Sequence, residues 1–287
     1  MEVLRKLITT SILCLLLISG CSKDATKSYD FNTAPVIIRA LGCDNEDVTA
    51  SGNVGNVRLY IYNEKQDLIE WIDIDKTDIE NCKPIRLKYP KNKRVYIEAV
   101  NLSSNNDIIY PEWQHFLHEF SLTYHAVEEM SNTREIFLGS TVYDNTCNET
   151  SPHYINIKRT VGKMRVRLSG SVKDRSLYHI QIKKISAQIN HEKAGFDERL
   201  EITPNLYCKA NEITTNYIST FPSEQESGIV VNVYKGGAFI KSLNRDVNGV
   251  LFQNAIDKTL EVDINLSTLA AEVSVSPWVS EDIDIEI

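Results

Sequence analysis

KMRVRLSG (163–170) alternates without a break. Met164, Val166 and Leu168 fall on one side, and Lys163, Arg165 and Arg167 on the other. A period of two marks a strand with one buried and one wet face, because successive side chains leave a pleated backbone in opposite directions. The same beat recurs on both sides of this stretch. Upstream, NVRLYIYN (56–63) sets Val57, Leu59 and Ile61 against Arg58, Tyr60 and Tyr62, and IRLKY (85–89) and RVYIEAVN (94–101) follow after Pro- and Asn-rich breaks. Downstream come LYHIQIKKISAQI (177–189), NYISTF (216–221), GIVVNVY (228–234), TLEVDINL (259–266), AEVSVSPW (271–278) and IDIEI (283–287). Short strands at near-regular spacing, separated by turn residues, predict a mainly β protein built of sandwiches.

One segment departs from this beat. In EWQHFLHEFSLTYHAVEEM (112–130), Trp113, Phe116, Leu117, Phe120 and Tyr124 recur at helical spacing, which predicts one amphipathic helix in the N-terminal domain. The chain has 287 residues, 42% of them hydrophobic, enough for two domains with real cores. The boundary is expected just beyond the loop-like NTCNETSPH (145–153). INIKRTVGKMRVRLSG (155–170) reads as two strand segments hinged at Arg159-Thr160 and Gly162, so the domains are expected over 35–158 and 159–287.

The beginning of the chain reads differently. Arg5 and Lys6 precede an uncharged, largely apolar run from Leu7 to Ile18. That run is shorter than the roughly 20 residues a bilayer-spanning helix needs, and its flanks fit a removable export signal over 1–20. Ile18-Ser19-Gly20-Cys21 resembles a bacterial lipobox, which makes Cys21 the expected lipid acceptor and the first mature residue. Two or more acyl chains hold a protein at a membrane where one does not. Residues 21–34 are polar and lead into Pro35, as a solvated tether does, and Ser22 after the cysteine favours the outer membrane by resemblance to other envelope lipoproteins.

The formal charge is −8, and loss of residues 1–20 makes it one unit more negative. Such a chain has no electrostatic footprint for nucleic acid. Beyond Cys21 it keeps Cys43, Cys82, Cys147 and Cys208, none in a CxxC pair, which argues against zinc and thioredoxin chemistry. In an oxidising envelope Cys43 and Cys82 can pair within the first domain, although the sequence does not fix connectivity.

Catalytic patterns are missing. There is no GxSxG, HExxH or Walker loop. His115, His118 and Glu119 read H-x-x-H-E, but Phe116, Leu117 and Phe120 claim that segment for packing, so these are expected to be surface histidines rather than a metal site. Asp282, Asp284 and Glu286 would share one strand face without the Gly-turned loop that calcium needs. No enzyme activity, cofactor or metal is expected. The tryptophans Trp71, Trp113 and Trp278 are scattered through expected core positions, which counts against a glycan-stacking platform.

Four features in order along the chain carry a family resemblance. They are the lipobox; Val54 to Asn63 followed by LIEWIDID (68–75); FLGS (137–140) followed by INIKRTVGKMRVRL; and VSVSPW (273–278). Over about 250 residues the chain resembles the fimbrillin family of Bacteroidia-type (type V) pili. That resemblance implies two tandem transthyretin-like β-sandwich domains and assembly by donor-strand exchange with other fimbrial subunits. The physical basis is that a sandwich short of one strand exposes unpaired backbone and an apolar slot, both satisfied by a neighbour's strand. Ile283, Ile285 and Ile287 suit an inserted strand and suit equally an edge strand of their own domain.

The family has polymerising subunits, lipidated in transit and then cut after an arginine, and anchor subunits that keep the lipid. Arg39 in APVIIRALG is the candidate cleavage site, or else an ordinary outward side chain of the first strand. The short chain points to the anchor or accessory branch: a lipid-anchored outer-membrane subunit that fixes or limits a surface fibre and supports adhesion to host or bacterial surface ligands. The alternatives are a stalk subunit matured after Arg39, a surface glycan-binding lipoprotein, and an envelope hydrolase with no visible nucleophile–base pair.

Overall fold

The computed structural model describes residues 31–32, 35–51, 54–87, 89–90, 94–102, 108–109, 116–117, 120–124, 135–144, 151–170, 177–186, 188–190, 199–209, 212–223 and 226–278. Strands make up nearly all of the regular structure. Among the described residues there is one short α-helix, α1 (Lys76–Glu80), with 3-10 turns at Cys43–Asn45 and Thr49–Ser51.

The first half of the chain forms a seven-stranded sheet. Its order is β4 (Leu68–Ile74), β3 (Asn56–Tyr62), β7 (Arg94–Leu102), β10 (Phe137–Asp144), β11 (His153–Arg159), β2 (Pro35–Leu41) and β5 (Ile85–Arg86). Neighbours are antiparallel except β11 and β2, which run parallel from Val36 opposite His153 to Leu41 opposite Lys158. Val57, Leu59 and Ile61 of β3 and Val95, Ile97 and Ala99 of β7 share one core with Val36, Ile38 and Ala40 of β2 and Ile155 and Ile157 of β11. These strand pairs lie on opposite sides of β10 in the sheet, so they meet only because the sheet curls over its core. The turn in the sheet comes at the start of β10, where Phe137 and Leu138 pair with β11 while the rest of the strand pairs with β7. Gly139 makes that approach possible, since a Cβ there would lie 2.3 Å from the Asn156 carbonyl oxygen.

The second half is a sandwich of two sheets. One has the order β16 (Leu206–Lys209), β17 (Glu212–Thr215), β12 (Gly162–Ser169), β21 (Lys258–Asn265) and β22 (Ala270–Pro277), with β18 (Ile218–Thr220) paired to the start of β12. The other is β15 (Arg199–Ile202), β13 (Tyr178–Ser186), β19 (Val230–Lys235) and β20 (Ala238–Leu243). The alternation of 163–170 is realised in β12. Met164, Val166 and Leu168 are wholly buried in one core with Ile180, Ile182, Val231 and Val233 of the facing sheet. As in the first half, one central pair is parallel: β12 and β21, in register from Lys163–Thr259 to Ser169–Asn265.

Two small sheets complete the structure. β1 (Phe31–Asn32) pairs with β6 (Tyr89–Pro90), and β8 (Ile108–Ile109), β9 (Ser121–Tyr124) and β14 (Gln188–Asn190) form a three-stranded sheet. The β9–β14 pairing ties the first half of the chain to the second.

This pairing corrects the helix expected over 112–130. Phe116 bridges to Asp67, and Ser121–Tyr124 is a strand opposite Gln188–Asn190. The apolar residues there satisfy two periods at once. Phe120, Leu122 and Tyr124 alternate with Ser121 and Thr123, and a partner strand distant in sequence selects the period of two. Trp113, His115, His118 and Glu119 lie outside the described residues.

Candidate functional site at the junction of the two cores

Between the two cores lies a third apolar cluster that draws on both halves. From the first come Tyr60, Tyr62, Val100, Leu117, Phe120, Leu122 and Leu138; from the second come Ile189, Phe221 and Trp278, with Val161 in the connection. Residues from three of the four features that carried the family resemblance converge here. The VRLYIYN strand supplies Tyr60 and Tyr62, FLGS supplies Leu138, the 155–168 stretch supplies Val161, and VSVSPW supplies Trp278.

Arg159 is the centre of the junction. It ends β11, and its side chain is 2% exposed. A buried guanidinium is tolerable only when its charge is met. Nη2 donates to Glu135 Oε2 at 2.7 Å, and Nη1 donates to Asp257 Oδ1 at 2.6 Å. The flat faces of the group lie near Phe137 and Trp278, with ring centroids 5.3 and 4.7 Å from Cζ. Lys163, 5% exposed, brings a second cation to the same indole, with Nζ 5.0 Å from the Trp278 centroid and 4.7 Å from that of Tyr217. Trp278 is therefore held by two cations from the chain segment that links β11 to β12.

Backbone contacts fix the same point. Trp278 N–H donates to Asp257 C=O at 2.9 Å, and Asp257 N–H donates to Val161 C=O at 3.1 Å. Thr160 N–H donates to Ile136 C=O at 2.8 Å, and the Asn101 side chain spans Glu135 C=O and Phe137 N–H. Gly162 lets the chain turn into β12 against this packing, because a Cβ there would lie 2.2 Å from the Ala255 carbonyl oxygen. The arrangement offers neither a nucleophile with a base nor an open cation. Its chemistry is cohesion.

A second charged group lies on the outward side of β12. Glu261 accepts from Arg165 and, at 2.8 Å, from the Tyr217 hydroxyl, while Arg167 stands 3.4 Å from Asp263 and 3.7 Å from both Glu212 and Glu261. Burial raises the Glu261 pKa, but Tyr217 and the two arginines outweigh it and hold the carboxyl below its usual range. Asp263 goes the other way. Burial pushes it up, Arg167 pulls against that, and the neighbouring Glu212 and Glu261 leave it raised.

Arg39 lies in the middle of β2 opposite Asn156, half-buried, with its guanidinium 3.8 Å from the Tyr154 ring centroid. The backbone of Ala40, the residue after it, is held at both its N–H and its C=O. Ala40 N–H donates to Thr49 Oγ1 at 2.9 Å, and Ala40 C=O accepts from Val48 N–H at 2.9 Å. Cys82 is a free, exposed thiol, as is Cys208, so the expected pairing of Cys82 with Cys43 is not made. Trp71 is 51% exposed on edge strand β4, which corrects its expected place in a core, whereas Trp278 is buried as expected. Cys21, Ile283, Ile285 and Ile287 lie outside the described residues. Among the described residues no helix is long and apolar enough to cross a membrane, and no His, Cys, Asp and Glu cluster could hold a metal ion.

Sequence reasoning missed the ion pairs of Arg159, whose partners Glu135 and Asp257 come from distant positions. The available signal was a lone tryptophan after a proline at the end of an alternating strand, with Arg and Lys four residues apart elsewhere.

Among the described residues no strand lies on the outer side of β22. Because Trp278 bonds to Asp257, the register turns the backbone groups of even-numbered residues of β22 toward β21 and those of Val273, Val275 and Pro277 outward. Val247 N–H covers the Ala271 carbonyl at 3.0 Å. Further along, Val275 sits opposite buried Leu260 on the core side of the sheet and is nonetheless 56% exposed.

Residues 26–284 match the family described as fimbrillin-A associated anchor proteins Mfa1 and Mfa2. The chain is 22% identical over 311 aligned positions to the major fimbrium anchoring subunit FimB of Porphyromonas gingivalis, covering 93% of this chain and 94% of that protein. Its fold is similar to that of the fimbrial anchor protein Mfa2 of Porphyromonas gingivalis, with a TM-score of 0.57 and 10% identity over 85% of this chain and 97% of that one. It is also similar to a candidate polysaccharide-binding protein of Bacteroides thetaiotaomicron, with a TM-score of 0.66 and 11% identity over 86% and 99% of the two chains.

Proposed function

The chain belongs to the family of fimbrillin-A associated anchor proteins, and on that premise we propose that it is a lipid-anchored subunit fixing a surface fibre to the outer membrane. Its role is structural, in keeping with the anchor and adhesin-like character of its relatives, and its partners are other fimbrial subunits. Cys21 carries the lipid, and residues 21–34 tether the folded part.

The observation that carries the anchor reading over the stalk reading is the state of β2. Val36, Ile38 and Ala40 are at most 2% exposed in the first core, and β2 pairs with β11 across six positions. Proteases take their substrates as free extended chain, and the Arg39–Ala40 bond lies in paired, partly buried strand. The first core therefore keeps its own strand among the described residues, as suits a subunit at the end of a fibre. The open edge of β22, with outward backbone at Val273 and Val275, is where a fibre strand joins, and Ile283, Ile285 and Ile287 lie in the segment exchanged or displaced there.

Mass analysis of the N-terminus in protein recovered from the cell envelope tests this. Acylated Cys21 on the uncut chain is expected. A chain beginning at Ala40 would show a stalk subunit instead.

A second reading has one observation in its favour. Trp71 is exposed on an edge strand beside the Arg58–Asp73 pair, whose Nε–Oδ1 distance is 2.6 Å. An aromatic face beside fixed polar groups suits a sugar ring, and one structural relative is a candidate polysaccharide binder. Binding of the purified protein on a glycan array, lost in Trp71→Ala, would favour it.

A further inference from the structure

An anchor bears load, and the strand directions say where the load goes. In the proposed role force enters at the membrane end, ahead of β2, and leaves at the fibre end, beyond Trp278; the inference below rests on that reading. In the first half, tension acts on the start of β2 and the end of β11. These strands are parallel neighbours, in register from Val36–His153 to Leu41–Lys158. Pulling the start of one and the end of its parallel neighbour slides them along their length. Every hydrogen bond of the pair is strained together, and none can open before the rest.

The second half is arranged differently. The chain enters at Gly162, the start of β12, and leaves at Pro277, the end of β22. Both points lie at the same end of the sheet, because Lys163 is opposite Thr259 and Lys258 is opposite Pro277. Tension between them would peel β22 from β21 one bond at a time, beginning at Trp278. Trp278 is also the residue clamped at that end. Its N–H is bonded to Asp257 C=O, Asp257 N–H is bonded to Val161 C=O, and its indole is held against Arg159 and Lys163. Arg159 in turn is paired with Asp257 at 2.6 Å.

We propose that Trp278, Asp257, Arg159 and Lys163 form a mechanical lock that passes load straight from the β11 end to the C-terminal end of the described chain, leaving the second sandwich as an unloaded side branch. While the lock holds, the longest strand pairing strained in the load path among the described residues is the β2–β11 shear pair, the β1–β6 and β2–β5 pairings ahead of it spanning two positions each. When it opens, the second sandwich unzips from β22 and lengthens the molecule while β2–β11 still holds.

Single-molecule pulling on the purified chain, leader removed, tests the lock in two geometries. In the first, handles are placed at the N- and C-termini. In the second, the C-terminal handle is moved to the Gly236–Gly237 turn. That turn lies at the far end of the second sandwich, beside the start of β13, whereas the other end of β13 leads to β14 at the junction. With terminal handles the wild type is expected to show a first rupture that releases the second half and a later, higher-force rupture of the first. Trp278→Ala and Lys163→Met are expected to lower the first peak and leave the second unchanged. With the handle at the turn, the two substitutions are expected to change neither peak, because the lock is not loaded. Equal weakening in both geometries would reveal mere loss of stability and overturn the proposal. So would an unchanged first peak in both variants, or a first half that yields first. The anchor reading fails separately, through cells that lack this protein yet keep fibres of normal length on their surface, a result the pulling traces cannot produce or hide.

Discussion

The two charged clusters flanking the start of β12 use the same residue types to opposite ends. At the junction one guanidinium meets two carboxylates, sealed among Phe137, Trp278 and the third core; Arg159 is 2% exposed. On the sheet face, Arg165 and Arg167 share Glu212, Glu261 and Asp263, and these side chains are between 27 and 47% exposed. Burial is what separates them. In the sealed cluster loss of Arg159 leaves two carboxylates, 12 and 18% exposed, without their shared cation. In the wet cluster water replaces whatever is removed, and neighbours share the adjustment.

The sharpest way to break this contrast is Arg159→Met. It leaves Glu135 and Asp257 facing each other across an apolar side chain, and a loss of ~3–5 kcal/mol in unfolding free energy is expected. A urea midpoint close to wild type would mean the junction is wetter than its geometry shows. Glu261→Gln should cost far less, about 1 kcal/mol or below after screening by solvent, read from the same titration. The smallest effect belongs to Asp263→Asn. With its pKa raised in the folded state, Asp263 binds its proton more tightly there than in the unfolded chain, so its charge works against folding at neutral pH. That cost disappears as pH falls through the raised value. Asp263→Asn should therefore match or slightly exceed wild-type stability at pH 7 and lose that margin in acid. Glu261 has the opposite sign. Its pKa is lowered, so its contribution is complete above the ordinary carboxylate range and is lost only as pH falls below it. Unfolding midpoints measured from pH 7 down to pH 3 separate the two, and a common direction for both would contradict the assignment.

What the sequence made legible follows from the same distinction between local and distant causes. Strands such as 163–170 and 56–63 are written in the alternation of their own residues, because each needs only one face toward a core. The segment 112–130 misled for the converse reason. Its apolar residues suit two periods, and the choice between them is made by Gln188–Asn190, dozens of positions away. Arg159 and Lys163 were visible as a motif, but their meaning depends on Trp278, which reaches them only when β12, β21 and β22 assemble. Trp71 was placed in a core because tryptophans usually are. It is exposed because β4 is an edge strand, and edges are a property of the finished sheet.

The parallel pairing of β2 with β11 also governs how the molecule comes to exist. Val36 has no partner on its β11 side until His153 arrives, and Lys163 has none on its β21 side until Thr259 does. The first core cannot close before His153–Arg159 is delivered, nor the second before Lys258–Asn265, and contacts so distant in sequence form slowly. A chain emerging N-terminus first thus leaves the first core open until its middle has passed and the second almost to its end, with edge strands waiting for partners and prone to stick to others of their kind. Completion is a late event that needs nearly the whole polypeptide at once. This makes the interval between delivery and closure, rather than the finished fold, the stage at which such a protein most depends on being shielded by its surroundings.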